Sequence, residues 1–355
     1  MQFVFHPDAL LHRAPVFLVR GEQRPVPEKP ERAEALAAML EARGAALVRP
    51  DDHGPGPRAA VHNPDYLRYL ETAHERWSKL PGASAAVIPN VHRPWRDASY
   101  PVGVVGQAGY HSYDTACPIT AETWTSVCAA ANSAVHASLL VARGETRAAY
   151  ALCRPPGHHA TRDMAGGFCY LNHVAIAAQA ALPVLAAAGR PPRVAILDVD
   201  VHHGNGTQDI FYERDDVLFL SVHADPSEFY PFMAGYARER GNGRGEGYNV
   251  NLPLPMGSDE ATVLAAIADS LGTVRRFAPE ILFVSLGLDT YEHDPLAAFG
   301  VTTPGFARMG ALLAGAGLPT VLVQEGGYAV DTLAANLGSF LDGFEDGLKK
   351  GSRGA

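Results

Sequence analysis

One apolar run in this chain is followed immediately by a dense string of acidic and histidine residues. The run Arg193-Val-Ala-Ile-Leu197 has the pattern of a buried strand, and Asp198-Val-Asp-Val-His-His-Gly204 follows it. Side chains two positions apart on an extended chain project to the same side, so Asp198, Asp200 and His202 are predicted to share one side. A single Asp is explained by a turn cap, but carboxylates crowded at a buried strand end need a cation. The string therefore predicts half of a metal site, with Zn²⁺ as the leading candidate.

Strand-like and helix-like runs alternate along most of the chain. This alternation predicts an α/β fold, with one domain over residues 1–345, a mostly parallel multi-stranded sheet and helices on both faces. Residues 346–355 are expected to be a frayed tail. Residues 81–118 are rich in Pro, Gly and aromatics, and are predicted to form a long functional loop. The predicted strands are 149–153, 193–199, 217–222, 281–286 and 320–323, and the predicted helices are 32–43, 64–77, 120–141, 172–188, 260–277, 306–316 and 331–344.

Four of the predicted strands end in polar, glycine-rich motifs. If the strands are parallel, these motifs converge on one edge of the sheet, where open α/β folds bind ligands. A hydrolytic zinc site keeps three protein ligands and an open position. Asp200 and His202 supply two ligands, and Asp289, at another strand end, is the natural third. The motifs are Arg154-Pro-Pro-Gly-His-His-Ala160, the Asp/His string, Gly287-Leu-Asp289-Thr-Tyr-Glu-His-Asp294 and Gln324-Glu-Gly-Gly-Tyr328.

The tandem His158-His159 lies in a Pro-Gly turn that could aim both rings at a metal-bound water. One imidazole would act as general base and later return the proton. Asp198 and Asn205 are available to fix the tautomers of these histidines. Tyr328, after a Gly-Gly turn, could donate its hydroxyl to a developing oxyanion. Together these residues predict hydrolytic chemistry at a metal-bound water.

The composition excludes several other classes of function. The net charge of −9 argues against nucleic acid as the main partner and is compatible with a cationic substrate. No apolar run is expected to span a membrane, and the N-terminus is predicted to be a short strand and not a signal peptide. The cysteines form no CxxC pair and are predicted to be reduced thiols of a cytoplasmic protein. They are Cys117, Cys128, Cys153 and Cys169.

Five motifs, in order, carry a resemblance to the histone deacetylase superfamily, which has the arginase–deacetylase fold. The resemblance runs from about residue 1 to residue 345 and is closest to the bacterial acetylpolyamine amidohydrolase branch. The N-terminal strand, the EKPERAEAL helix start and the loop before Gly106-Gln107-Ala-Gly-Tyr110 all resemble that branch. The motifs are RPPGHHA, GGFCYLNHVAIAA, LDVDVHHGNGTQDIFY, SLGLDTYEHDP and QEGGY.

The resemblance implies roles for the residues of the edge. It implies Zn²⁺ on Asp200, His202 and Asp289, with His158 and His159 flanking the water and Tyr328 polarising the amide carbonyl. Asp198 would pair with His158. Asn205 stands where many family members carry Asp, which weakens the charge behind His159. We therefore expect His159 to be the main general base and His158 its electrostatic partner.

The resemblance also implies further cations. Fe²⁺ or Co²⁺ would fit the same ligands as Zn²⁺, since affinity alone does not select among them. A structural K⁺ is expected beside the zinc, and a second monovalent site is expected to form mainly from backbone oxygens. The first site would use Asp198, Asp200, His202, Ser221 and Val222, and the second Phe211, Arg214, Val217 and Tyr248.

Resemblance further implies a narrow substrate channel with two aromatic walls, Phe168 and Tyr230. Gly167, Leu296 and Gly326 are expected to contact the substrate beside them. The 81–118 loop is expected to shape the mouth and to form a homodimer. Polyamine specialists are expected to place carboxylates at this mouth, since their substrates are small cationic acetylated amines.

The acidic residues near the mouth leave the substrate open. Residues 100–121 contain one carboxylate, Asp114, among apolar side chains; Asp97, Glu122, Glu292 and Asp294 are other acidic candidates. Three functions therefore remain: a deacetylase of acetylated polyamines, a broader lysine or small-amide deacylase, and a catalytically weak binder of acetylated ligands. Retention of every ligand, both histidines and Tyr328 counts against the binder.

Overall fold

A computed structural model describes residues 1–95 and 97–351 of the chain. Its strands are β1 (Gln2–Val4), β2 (Val16–Val19), β3 (Glu22–Pro25), β4 (Leu47–Val48), β5 (Ala148–Ala151), β6 (Val194–Asp198), β7 (Val217–Ala224), β8 (Asn249–Leu254), β9 (Ser258–Asp259), β10 (Ile281–Leu286), β11 (Phe299–Gly300) and β12 (Thr320–Gln324). Eight strands of this described part form one sheet in the order β4-β1-β5-β12-β10-β6-β7-β8. Every neighbouring pair in this sheet is parallel. The others pair separately, β2 with β3 and β9 with β11.

Helices connect the strands and cover both faces of the sheet. They are α1 (Pro30–Ala42), α2 (Gly56–Ala59), α3 (Pro64–Trp77), α4 (Val104–Tyr110), α5 (Thr123–Ala142), α6 (His173–Ala187), α7 (Asn205–Phe211), α8 (Glu260–Phe277), α9 (Thr303–Ala314) and α10 (Val330–Gly351), with short 3₁₀ turns at Pro7–Leu10 and Gly243–Gly245. One apolar core contains residues of α3, α5 and α6, and a second contains residues of α1, α8, α9 and α10.

The central strands are apolar throughout because both of their faces are buried. In β6, Val194 and Ile196 pack into the first core, whereas Ala195 and Leu197 pack into the second. A continuous apolar run is the pattern expected of a parallel strand between two helical layers. The predicted α/β architecture, with a parallel sheet and helices on both faces, is therefore confirmed.

Local signals set several element boundaries where the sequence placed them. Pro64 occupies the first turn of α3, and the Asn63 side chain accepts a hydrogen bond from the Asp65 backbone N–H at 2.8 Å. Proline at this position loses no helical hydrogen bond, and Asn satisfies a free N–H, so together they start a helix here. The predicted bounds of α3, α8 and β10 coincide with the observed ones.

The C-terminal prediction differs from the structure. The sequence was expected to fray from residue 346, but α10 continues to Gly351. Leu348 packs against the second core, and Lys349 lies 3.1 Å from the Asp346 carboxylate one turn earlier. These contacts extend the helix, and the predicted fraying of residues 352–355 lies outside the described residues.

Two further expectations need correction. By length and composition, the helix Thr123–Ala142 could cross a membrane, although no run was expected to; 72% of its most apolar window is buried inside the protein. It packs against α6 and the sheet, which makes it a core helix. The 81–118 loop, in which Arg96 is outside the described residues, was expected to be irregular but contains the short helix α4.

Candidate active site at the carboxyl edge of the sheet

The four polar motifs meet at one edge of the sheet. They follow β5, β6, β10 and β12, which lie side by side in the order β5-β12-β10-β6. Because these strands are parallel, their carboxyl ends open at the same edge. The sequence separates the motifs by up to about 170 residues, and the strand order alone brings them together.

Asp200, His202 and Asp289 form a compact group of buried ligand atoms. One atom from each of the three lies within 4.8 Å of the others. The His202 Nδ1 atom lies 3.1 Å from Asp200 Oδ1 and 3.3 Å from Asp289 Oδ2. The Val201 backbone N–H donates to Asp289 Oδ1 at 3.1 Å, which turns the other carboxylate oxygen toward the group.

The donor set of this group fits a divalent metal. Asp289 Oδ2 is buried without a hydrogen bond. Burial and the negative charge of neighbouring Asp200 raise the pKa of Asp289 to about 7. One imidazole nitrogen and two carboxylate oxygens are ligands that Zn²⁺ and related ions accept. These residues could therefore hold the ion that the sequence predicted.

The backbone at Gly326 closes the group from the side of β12. Its N–H donates to Asp200 Oδ2 at 2.9 Å. A Cβ atom at this position would lie 2.1 Å from Asp289 Oδ2 and 2.6 Å from Asp200 Oδ2. Any side chain here would therefore push into the carboxylates. Gly326, predicted to contact substrate, lies against the ligand group itself.

The tandem histidines have different partners. His158 Nδ1 lies 2.9 Å from the Asp198 carboxylate, and His159 Nδ1 lies 2.7 Å from Asn205 Oδ1. The two ring centroids are 4.0 Å apart, and the His159 ring is 5.8 Å from that of His202. The structure thus brings both histidines to the ligand group, each with the partner that the sequence suggested.

These partners separate the two imidazoles electrostatically. Burial disfavours protonation of His158, but the carboxylates of Asp198 and Asp200 outweigh it and raise its pKa to about 10. Burial and the neighbouring imidazoles of His158 and His202 lower the pKa of His159 well below its usual value. His158 is therefore suited to carry a charge, and His159 to remain a neutral acceptor.

Tyr328 is held at the same edge by its backbone. Its N–H donates to the Asp294 carboxylate at 2.6 Å, and the N–H of Ala329 donates to the same oxygen at 3.0 Å. The Arg32 guanidinium lies 4.6 Å from the centre of the Tyr328 ring. Burial raises the pKa of Tyr328 well above its usual value, against the opposing charge of Arg32, so its hydroxyl remains a neutral donor.

The predicted channel residues surround these groups. The Phe168 ring lies 5.8 Å from that of Tyr328, and the Tyr230 ring lies 5.0 Å from that of His159. Leu296 packs against the small apolar cluster that contains Phe168 and Tyr328. Gly167, at φ 55°, has His159 so close that a Cβ would lie 2.4 Å from its ring. The structure therefore places one predicted aromatic wall, Tyr230, against His159 and the other, Phe168, against Tyr328.

Both predicted monovalent sites fall on neighbouring segments. Ser221 of β7 pairs in register with Asp198 of β6, which places the first set around the end of these two strands. In the second set, the Arg214 N–H donates to the Phe211 carbonyl at 3.0 Å and the Phe219 N–H donates to the Tyr248 carbonyl at 2.9 Å. Val217 begins β7, and Val222 lies near its end.

Sequence reasoning missed the buried carboxylate of Glu325, and it left Asp294 open between the substrate mouth, a solvated surface group and a helix cap. Glu325 accepts from the N–H groups of Gly157 and His158, at 2.6 and 3.1 Å, and so holds the histidine turn. Asp294, a candidate for the substrate mouth, is only 6% exposed and holds the Tyr328 backbone. An acid directly before the Gly-Gly turn of QEGGY was the available signal for Glu325.

A second group of candidate ligand atoms lies beside the first. It comprises atoms of His158, Cys169 and Glu325, within 4.8 Å of one another. Burial raises the pKa of the Cys169 thiol well above its usual range, so the thiol stays protonated and is a poor ligand. The first group is therefore the stronger metal site.

Known proteins share both the sequence and this architecture. The model of the histone deacetylase domain matches residues 26–344. An acetylpolyamine amidohydrolase of Burkholderia pseudomallei is 49% identical over 96% of this chain and 97% of its own. Acetylpolyamine amidohydrolase 1 of Pseudomonas aeruginosa is 44% identical over 97% and 99%. A crystal structure of acetylpolyamine aminohydrolase from B. pseudomallei superposes with a TM-score of 0.92 at 48% identity, covering 98% of this chain and 99% of that one.

A domain match over most of the chain, together with relatives of this identity and coverage, establishes the family. The chain has the arginase–deacetylase fold that the resemblance implied. The family implies a divalent metal, in keeping with the buried ligand group. The chain belongs to the histone deacetylase family and is a hydrolytic deacetylase.

Proposed function

We propose that this enzyme is a zinc-dependent amidohydrolase that removes acetyl groups from N-acetylated polyamines. One observation supports the chemistry above all others. The ligand group, the two histidines with different partners and Tyr328, whose pKa is raised by burial and by the charges of Asp289 and Asp200, belong to one sheet edge. The similarity to acetylpolyamine amidohydrolases over nearly the whole chain supports the substrate class.

Asp200, His202 and Asp289 would hold the zinc ion. When bound, zinc polarises an acyl carbonyl and lowers the pKa of water. Fe²⁺ and Co²⁺ suit the same donors, so metal content after purification from metal-replete cells decides the identity. Elemental analysis of the wild type and of Asp289→Asn tests the site, and we expect one equivalent of metal to be lost in the variant.

The surrounding side chains divide the proton transfers. His159, with its Nδ1–H donated to Asn205, offers its Nε2 lone pair to the attacking water. His158, paired with Asp198, supplies positive charge beside the reacting carbonyl. The Tyr328 hydroxyl donates to the acyl oxygen as negative charge develops there. The imidazolium of His159 then protonates the leaving nitrogen, which releases acetate and a primary amine.

A specific observation also favours a broader substrate range. Asp114, the single carboxylate within residues 100–121, already accepts hydrogen bonds from Gly167 N–H and the Tyr230 hydroxyl, at 2.9 and 2.7 Å. It is thus engaged in holding the channel walls, which leaves fewer free acids to bind a polyamine. A broader lysine or small-amide deacylase is the second candidate function.

Competing substrates separate the two candidates. We would measure kcat/KM for the zinc-loaded enzyme on N-acetylputrescine, N8-acetylspermidine and an acetyl-lysine peptide, with His159→Ala as the inactive control. A polyamine preference of about a hundredfold, worth roughly 2.7 kcal/mol in the transition state, is the expected result. A flat profile or a peptide preference would favour the broader deacylase.

We also propose that the 81–118 loop forms a homodimer interface. Among the exposed large apolar side chains of the described residues, several cluster in this one loop; they are Val91, Trp95, Tyr100, Val102 and Val105. Exposed apolar patches of this kind mark interaction sites. Light scattering of the purified protein is the direct test, and a monomer at micromolar concentration would contradict the proposal.

Monovalent ions and location complete the proposal. Structural K⁺ at the two predicted sites is supported by their backbone carbonyls and carboxylates. It predicts a higher melting temperature in KCl than in an equal concentration of a tetraalkylammonium salt.

A cytoplasmic location is supported by the free cysteines Cys117, Cys128, Cys153 and Cys169. Fractionation of the producing cells tests the location.

A further inference from the structure

We propose that Tyr113 is a positioning residue that fixes the amide of Asn205 and, through it, the tautomer of His159. This inference rests on the proposed role of His159 as general base. Asn205 Oδ1 lies 2.7 Å from His159 Nδ1, and Asn205 Nδ2 donates to the Tyr113 hydroxyl oxygen at 3.3 Å. The Tyr113 hydroxyl in turn donates to the His159 carbonyl at 3.1 Å.

The direction of these bonds follows from the number of protons available. Tyr113 has one hydroxyl proton, and it points at the His159 carbonyl. Lone pairs of the same oxygen therefore face Asn205, and they accept only from the Nδ2 end of the amide. Oδ1 is then left facing His159, so the Nδ1 atom must carry the ring proton. Nε2 keeps its lone pair, which is the form that can accept a proton.

The opposite amide orientation would disable the base. The amide NH₂ group would then face His159 Nδ1, and two donors would meet unless the ring proton moved to Nε2. A ring protonated at Nε2 cannot accept a proton from water there. An asparagine partner thus needs a third group to choose its orientation, whereas the Asp198 carboxylate behind His158 offers acceptors on both oxygens and needs none.

Other contacts keep the Tyr113 lone pairs available for Asn205. The Tyr230 hydroxyl lies 3.2 Å from that of Tyr113, but its proton is taken by the Asp114 carboxylate at 2.7 Å. The Tyr113 backbone N–H donates to the Ala165 carbonyl at 3.1 Å. A Cβ on Gly166 would lie 2.0 Å from Tyr113 Cζ, so the ring lies directly on that glycine.

A double-mutant cycle tests the inference against a merely structural role. Tyr113→Phe is measured in the wild type and in the Asn205→Asp background, where both oxygens accept and no orientation has to be chosen. We expect Tyr113→Phe to lower kcat about 10–100-fold in the wild type, with KM little changed. In the Asn205→Asp background the same change should cost no more than about twofold. An equal factor in both backgrounds would overturn the inference.

A spectroscopic measurement needs no Tyr113 variant. In zinc-loaded protein with ¹⁵N-labelled histidine, the resonances lost in His159→Gln identify His159, and their shifts report its tautomer. A proton on Nδ1 supports the inference, and a proton on Nε2 in the wild type overturns it. For the kinetic comparison, Tyr236→Phe is the matched control for a lost tyrosine hydroxyl. It removes a hydroxyl that donates to the Phe232 carbonyl at 2.8 Å.

The same experiments separate this inference from the proposed function. The cycle uses whichever acetylated amine the wild type hydrolyses fastest, so it does not depend on polyamine selectivity. If His159→Gln retains the wild-type rate, the general-base role itself fails. If His159→Gln is inactive and the two Tyr113→Phe factors are equal, the role of Tyr113 alone fails.

Discussion

The carboxyl edge of the sheet and the 81–118 loop are built in opposite ways. At the edge, the catalytic candidates are buried, and buried acids bind the loops that carry them: Glu325 binds the histidine turn and Asp294 binds the Tyr328 turn. The loop instead exposes apolar side chains, with Val102 91% exposed and Trp95 66% exposed. The edge therefore has the buried, hydrogen-bonded polar groups of a candidate catalytic site, whereas the loop has the exposed apolar side chains of a candidate interaction surface.

The difference teaches which part of an enzyme can be inferred from its residues. A hydrolytic site needs particular donors at particular distances, and few arrangements supply them. A substrate mouth needs shape and charge, and many loops satisfy the same need. Substitutions at the edge should accordingly cost far more activity than substitutions in the loop.

The largest effect should separate the two histidines. We expect His159→Ala to lower kcat about 10³–10⁴-fold, since the proton acceptor is lost. His158→Ala should leave more activity, with a loss of about 10–100-fold, since its role is electrostatic. Single-turnover kinetics on the best acetylated substrate, with His74→Ala as control, checks both values. Equal residual activities would contradict the proposed difference between His158, which pairs with Asp198, and His159, which pairs with Asn205.

The next largest effect concerns Asp294, which binds the backbone at Tyr328 and was also a candidate acid of the substrate mouth. Asp294→Ala removes the acceptor for two backbone N–H groups at Tyr328, and we expect kcat to fall about 10–100-fold with KM nearly unchanged. The control is Asp331→Ala, in the first turn of α10. A raised KM for cationic substrates at unchanged kcat would instead place Asp294 at the mouth.

Glu325 should give the metal-free edge a pH-dependent stability. Burial, aided by the charges of Asp198 and Asp200, raises its pKa from 4.5 to about 8, against the opposing effects of His158 and the Gly157 N–H. A carboxyl with a raised folded-state pKa contributes stability below its unfolded pKa and loses it as pH rises through the folded value. After removal of the metal with a chelator, the melting temperature of Glu325→Gln should therefore rise relative to that of the wild type as the pH increases from 5 to 8.

The smallest catalytic effect should come from the loop. Val102→Glu places a charge in the proposed interface, and we expect the molar mass from light scattering to halve. The activity of a monomer with an intact edge should stay within about twofold, as for most surface substitutions. An unchanged mass would remove Val102 from the interface. A large loss of kcat would show that the loop and the edge are coupled.

Much of the edge could be predicted because its signals are local. The strand Ile281–Leu286 is a continuous apolar run, and the residues after it carry Asp289 to the predicted place. Parallel strand order then suffices to bring Asp200, His202 and the histidine turn to the same edge. The roles of these residues stay predictions until the variants are measured.

What could not be predicted depends on contacts between distant segments. Glu325 binds a turn 168 residues away, and Asp294 binds a helix start 34 residues away. Neither spacing leaves a periodic pattern. The edge strand Asn249–Leu254 was missed because polar residues and Pro253 interrupt its apolar run. The end of the last helix was predicted too early because Leu348 packs against the core, and this contact stabilises the final turns.

The position of Thr320–Gln324 in the sheet has a consequence for how the protein is made. This strand comes after the other strands along the described chain, yet it lies between β5 and β10 in the middle of the sheet. During synthesis, β6 and β10 can pair before it emerges from the ribosome, and with them Asp200, His202 and Asp289. The turn that bears the two histidines follows β5, which lies on the other side of the position that β12 later fills. A growing chain can thus bring the candidate metal ligands together early, but the complete set of candidate site residues can assemble only after Thr320–Gln324 has been made.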